Sequence, residues 1–137
     1  MSLERFLMAG LLVAGSGLAL NAAPSQLPTV TRKDLLRHDL GAVGREVLQV
    51  RVDFAPGVEA PPHSHPGEEV AYVIEGVLEY RLEGKPPVTL RAGESLFIPA
   101  GVIHSAKNVG TGNAAELATY IVAKDRPLVT LGEARAH

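Results

Sequence analysis

The sequence predicts an all-β domain, a sandwich or a barrel. Three observations carry that expectation. Short segments alternate apolar and polar residues at period two, the mark of half-buried strands. Gly and Pro punctuate them throughout, with 14 Gly and 10 Pro in 137 residues. After residue 45 no stretch repeats its apolar positions at the helical period. The length fits one domain, and no internal repeat or linker divides it.

Residues 1–22 read as a leader rather than as fold. A short charged start is followed by an apolar run at 6–20 and by small residues before Pro24, the layout of a secretory signal peptide. The run is 15 residues long, short of the ~20 that span a bilayer. Cleavage would give a secreted or periplasmic protein without a membrane partner; an uncut leader would anchor the chain. Residues 23–45 carry Pro24, Pro28, Gly41 and Gly44 without a sustained period. They predict an extended N-terminal arm with one short turn of helix near 34–38.

Residues 46–123 hold the strands. EVLQVRVDF (46–54) sets Leu48, Val50, Val52 and Phe54 against Gln49, Arg51 and Asp53, and Ala55, Pro56 and Gly57 end it. EVAYVI (69–74) is apolar and rich in β-branched residues. VLEYRL (77–82) places Leu78, Tyr80 and Leu82 on one face, before a turn at 84–87. VTLRA (88–92) leads to a turn at Gly93 and Glu94, and SLFIP (95–99) stops at Pro99. VIHSAKN (102–108), a turn at 110–113 and LATYIVA (117–123) complete the set. The polar tail, 124–137, is expected to be loose.

Composition excludes several function classes. Apolar residues make up 46% and charged residues 20%, close to the globular norm, which argues against disorder. A net charge of −2 argues against a nucleic-acid partner. The absence of Cys removes disulfides, thiolate metal sites and Cys nucleophiles.

Three of the five His fall between residues 63 and 104. His63 and His65 are two apart on an extended segment and so point to one face. The same parity puts Glu69 on that face and Glu68 on the other. His104 lies on a later strand. Three imidazoles and one carboxylate suit a borderline divalent metal, and four ligands on an octahedral ion leave two positions for water, dioxygen or substrate.

These residues sit in two stretches, 57–76 and 93–108, that resemble the two signature motifs of the cupin superfamily. The first motif, G-x(5)-H-x-H-x(3,4)-E-x(6)-G, falls on Gly57, His63, His65, Glu69 and Gly76. The second, G-x(5)-P-x-G-x(2)-H-x(3)-N, falls on Gly93, Pro99, Gly101, His104 and Asn108. The gap between them, 77–92, is 16 residues, as in compact bacterial members of the cupin-2-like type. The resemblance covers about 46–123 and implies a single jelly-roll, or double-stranded β-helix, barrel. It implies that His63, His65, Glu69 and His104 hold one divalent transition metal per chain. Asn108 becomes a structural turn residue, and the glycines become candidate turn positions.

Other candidates have plainer readings. Glu68 is taken as surface, because choosing it would break the strand parity and both motif spacings. His38 and His137 lie outside the motifs and are expected in solvent. Tyr72, Tyr80 and Tyr120 are candidate pocket residues whose plainer role is packing. Arg51, Arg81 and Arg91 are candidate anion holders, but each alternates with apolar neighbours and belongs on a solvated face.

The ligand set suits Mn, Fe, Co, Ni, Cu or Zn without choosing among them. The resemblance implies an exported metal-dependent enzyme, of dioxygenase or isomerase type, on a small enolic or polyol-like substrate. In that reading Glu69 is also the catalytic general base. The alternative is a non-catalytic cupin that binds a metal or a small ligand. A purely structural barrel has no need of three converging imidazoles. Small members of the family are commonly dimers, which implies a homodimer.

Overall fold

The computed structural model describes residues 30–133. The expected leader at 1–22 and His137 therefore lie outside the described residues.

Ten strands form two antiparallel five-stranded sheets, and there is no helix among the described residues. The strands are β1 (Val30–Asp39), β2 (Arg45–Phe54), β3 (Glu59–Ser64), β4 (Gly67–Glu75) and β5 (Val77–Leu82). They continue as β6 (Val88–Arg91), β7 (Ser95–Ile98), β8 (His104–Asn108), β9 (Ala114–Ala123) and β10 (Thr130–Leu131). One sheet runs β1-β2-β9-β4-β7 and the other β10-β3-β8-β5-β6. This is the all-β double-stranded β-helix predicted for the chain.

Alternation explains the packing. In β2, Leu48, Val50, Val52 and Phe54 are buried while Gln49, Arg51 and Asp53 are half-exposed. The two inward faces meet in one core of Val50, Val52, Phe54, Val73, Leu78, Tyr80, Ile98, Tyr120 and Val122. Burial of such side chains contributes roughly 1.5–3 kcal/mol each.

Three local expectations need correction. The arm has no helical turn at 34–38: β1 pairs with β2 along its whole length, from Val30 opposite Phe54 to Asp39 opposite Glu46. The break in its pattern is a β-bulge between Asp34 and Leu36, where an extra residue blurs the period-two signal. The tail is not loose up to residue 133. Leu128 packs against the core, and β10 pairs Thr130 with Ser64 and Leu131 with His63. The last long strand also begins three residues before the expected 117, at Ala114.

The motif residues have mechanical roles. Gly57, Gly76, Gly93 and Gly101 all take positive φ, from 73° to 92°. Gly76 is the most constrained, because a Cβ there would lie 2.5 Å from the Asn113 carbonyl oxygen and 2.7 Å from Ala114 Cα. Asn108 is fully buried and ties the turn that follows it to the end of β2. Its Nδ2 donates to the carbonyls of Phe54 (3.1 Å) and Gly112 (2.8 Å), and its Oδ1 accepts from the Gly110 amide (3.0 Å).

Gly76→Ala adds both a left-handed L-residue and a clash with backbone. It is expected to destabilise the protein by at least ~2 kcal/mol in chemical denaturation. A value within ~0.5 kcal/mol of wild type would contradict this reading of the turn.

Candidate metal centre

His63 sits near the end of β3, opposite His104 at the start of β8. His65 follows β3, and its carbonyl accepts from the Gly101 amide at 3.1 Å. Glu69 comes from β4, in the other sheet. The two sheets thus bring the two motifs together inside the barrel. All four side chains are buried, with 3–8% exposure. Parity sorts the two neighbouring glutamates as expected: Glu69 points inward, while Glu68 is part-exposed and pairs with Arg45 at 2.7 Å.

One ligating nitrogen from each of His63, His65 and His104 lies within 4.8 Å of the others. The three Nδ1 atoms face backbone carbonyls: Pro61 for His63 (2.7 Å), Leu128 for His65 (2.6 Å) and Val102 for His104 (2.9 Å). A carbonyl only accepts, so each Nδ1 carries a proton and each Nε2 lone pair is left free. Glu69 Oε2 then lies 3.0 Å from His65 Nε2 and 3.2 Å from His104 Nε2. His65 Nε2 and Glu69 Oε2 are buried without a hydrogen-bond partner among the described residues. Acceptors this close and dry could hold a metal ion among the three histidines.

The titration behaviour agrees. Burial lowers the His63 imidazole to about 4, helped by the charge of His104, so at neutral pH it is uncharged. Burial alone would raise the Glu69 carboxyl, but the neighbouring His104 and His65 outweigh it and bring it to about 2. Burial lowers His104, yet the adjacent Glu69 carboxylate wins and the net shift is upward.

Two residues outside the expected set connect to those around the centre, Glu116 from inside the barrel and Arg32 from the exposed strand β1. Glu116, inward on β9 between Val52 and Val73, is 5% exposed and accepts a hydrogen bond from the Tyr80 hydroxyl. Burial and the nearby Glu69 charge raise its carboxyl to about 8. Arg32 of β1 donates to the Tyr120 hydroxyl at 3.2 Å, and the Tyr120 ring lies 4.6 Å from that of His65. A readable signal existed for Glu116, since it shares parity with the inward Ala118, Tyr120 and Val122. Arg32 had none, because its role depends on the bulged pairing of β1.

The other candidates stay apart from the centre. Arg51 pairs with Asp53 at 2.8 Å and Arg81 with Glu79 at 2.8 Å, both towards solvent. Arg91 and His38 are exposed. Tyr80 and Tyr120 are core residues at 1% exposure, whereas Tyr72 is 43% exposed.

Comparison with known proteins points the same way. A family model described as the cupin domain matches residues 50–122. Germin-like protein 1-1 of Oryza sativa subsp. japonica is 40% identical over 82 residues, covering 54% of this chain and 37% of that protein. The oxalate oxidase GF-2.8 of Triticum aestivum is 37% identical over 78 residues, covering 51% of this chain and 35% of that protein. A solved recombinant oxalate oxidase in complex with glycolate superposes with a TM-score of 0.63 at 29% identity, covering 78% of this chain and 57% of the other. The chain spans about a third to a half of the length of the curated relatives it matches.

A raised carboxyl stabilises the fold while protonated. The Glu116 contribution is full below its unfolded value of 4.5 and is lost as pH rises through about 8. Between about pH 5 and 8, metal-free protein is expected to lose stability more steeply than its Glu116→Gln variant, by up to ~1.4 kcal/mol per pH unit. Parallel denaturation curves would show that Glu116 is ionised throughout.

Proposed function

The chain belongs to the cupin domain family, and on that premise we propose that it is an exported, metal-dependent enzyme of the oxygenase or oxidase type. Its substrate would be a small oxygen-rich molecule, enolic, polyol-like or carboxylate, able to chelate a metal. His63, His65, Glu69 and His104 would hold one divalent transition metal per chain. The observation that carries this reading is the shared tautomer: three Nδ1 protons tied to carbonyls leave three Nε2 lone pairs converging beside an ionised Glu69. The match to oxalate oxidases supports the substrate class.

A Mn, Fe, Co, Ni, Cu or Zn ion bound there would polarise a chelating substrate and, where redox-active, support dioxygen chemistry. The chain's own residues do the rest. The carbonyls of Pro61, Leu128 and Val102 fix the imidazoles. The Tyr120 ring packs against His65 and keeps water off that side. Glu69, ionised at neutral pH, takes up a proton that a substrate presents to Oε2, as general base. Glu116 holds its own proton deeper in the barrel, where the carboxyl also accepts a hydrogen bond from the Tyr80 hydroxyl.

Export is supported by the apolar run at 6–20. No helix among the described residues is long and apolar enough to cross a membrane. A homodimer is supported by the outer face of the first sheet, where Leu36, Val70, Tyr72, Phe97 and Ile121 are 38–57% exposed. A face of this kind is usually covered.

Metal analysis of protein from a metal-replete culture should find about one ion per chain. His63→Ala and His104→Ala should each weaken binding at least ~100-fold in calorimetry. No metal, or unchanged affinity, would refute the site. Oxygen uptake with a panel of oxalate, glycolate and enolic compounds then tests the enzyme. Loaded protein that turns over nothing in the panel would leave the binding reading in its place. Phe97→Glu should shift a dimer to monomer in analytical ultracentrifugation; wild-type protein that sediments as a monomer would contradict the dimer.

A further inference from the structure

Two of the three imidazole-holding carbonyls are local and one is not. Pro61 and Val102 each precede their own histidine by two residues, so the strands that carry His63 and His104 also orient them. His65 is held by the carbonyl of Leu128, 63 residues further along the chain. Leu128 lies beyond the 50–122 stretch that matches the family.

The segment at 125–132 reaches all three ligand-bearing stretches. It leaves β9 through Asp125, whose φ of 59° turns the chain sharply. Leu128 inserts against the core, Leu131 pairs with His63, and the Gly132 amide donates to the Pro62 carbonyl at 2.9 Å. Gly132 also lies against Ile103, next to His104; a Cβ there would be 3.0 Å from Ile103 Cγ2. The segment is otherwise lightly held. β10 is two residues long, both exposed, and Leu131 is 60% exposed.

We infer that residues 125–132 form a strap belonging to the metal centre, with the Leu128 carbonyl as the positioning group that sets the His65 tautomer. This rests on the metal-binding reading above. Docking of the strap and binding of a divalent metal are then coupled, and by linkage each favours the other. With the strap displaced, His65 Nδ1 loses its acceptor, the ring moves to a mixture of tautomers, and one of three lone pairs is no longer aimed at the centre. A strap that merely covered the core would affect stability and leave the ligand geometry untouched.

Two measurements on the full-length chain test this, with Co²⁺ as the probe. In hydrogen exchange, saturating Co²⁺ should raise protection of the Gly132 amide; unchanged protection would overturn the coupling. Two variants displace the strap by different means: Leu128→Gly removes its anchor, and Gly132→Val drives a branched side chain into Ile103. Each should weaken Co²⁺ binding ~10–100-fold, while the distant Val109→Ser stays within about twofold of wild type, inside ordinary surface effects. In long-range ¹H–¹⁵N spectra of the metal-free chain, His65 alone should lose its pure Nδ1–H signature. His63 and His104 should keep theirs. Unchanged Co²⁺ affinity and an unchanged His65 tautomer, with the Gly132 amide unprotected, would overturn the strap's role while leaving the metal site standing. A full-length chain that binds no Co²⁺ would instead remove the metal-binding reading and the coupling with it, and the His65 spectrum would then decide the positioning role alone.

Discussion

Three hydrogen bonds from imidazole Nδ1 to backbone carbonyls organise the centre of this protein. A free histidine places its proton on either ring nitrogen; here the backbone decides for all three. The consequence is a dry pocket of acceptors, three nitrogens and an ionised carboxylate, with buried atoms that no donor among the described residues satisfies. Such a pocket costs several kcal/mol unless a cation or a proton fills it. A divalent ion held there, as proposed, would satisfy these acceptors.

The fold exists in a form that makes those bonds possible. His63 and His104 are register partners, and Glu69 reaches them from the opposite sheet. Holding four polar side chains between two apolar sheets requires the surrounding core to be well packed, because only low dielectric and tight geometry keep the lone pairs aimed. Tyr80, Tyr120 and Val122 supply that packing and are all 1–2% exposed. Tight turns such as the one at Gly76 and the loop ties of Asn108 hold the strand ends in place. Glu116 adds a second buried carboxyl, whose charge would repel that of Glu69; keeping it protonated against Tyr80 avoids the conflict.

Much of this was legible in the residues. Period-two alternation located β2 and β5 almost to the residue, since one face of each is buried and the other wet. Strand parity separated Glu69 from Glu68, and the spacing of two motifs brought His104 to His63 and His65. What escaped was information that only the tertiary structure contains. The bulge at Asp34 to Leu36 broke the alternation of β1 and imitated a helical turn. Glu116 was hidden because a charged residue at an inward position made β9 look shorter than it is. The strap escaped because its anchor to His65 is a backbone carbonyl, and a carbonyl has no signature in the choice of side chain.

The most direct test of the account is X-ray absorption spectroscopy of the metal-loaded protein, because imidazole rings scatter distinctively and can be counted. The account predicts three imidazoles bound through Nε2 and one carboxylate oxygen around a single ion per chain, with two imidazoles remaining in His65→Ala. A spectrum with fewer than three imidazoles in the wild-type protein, or one unchanged by His65→Ala, would contradict it.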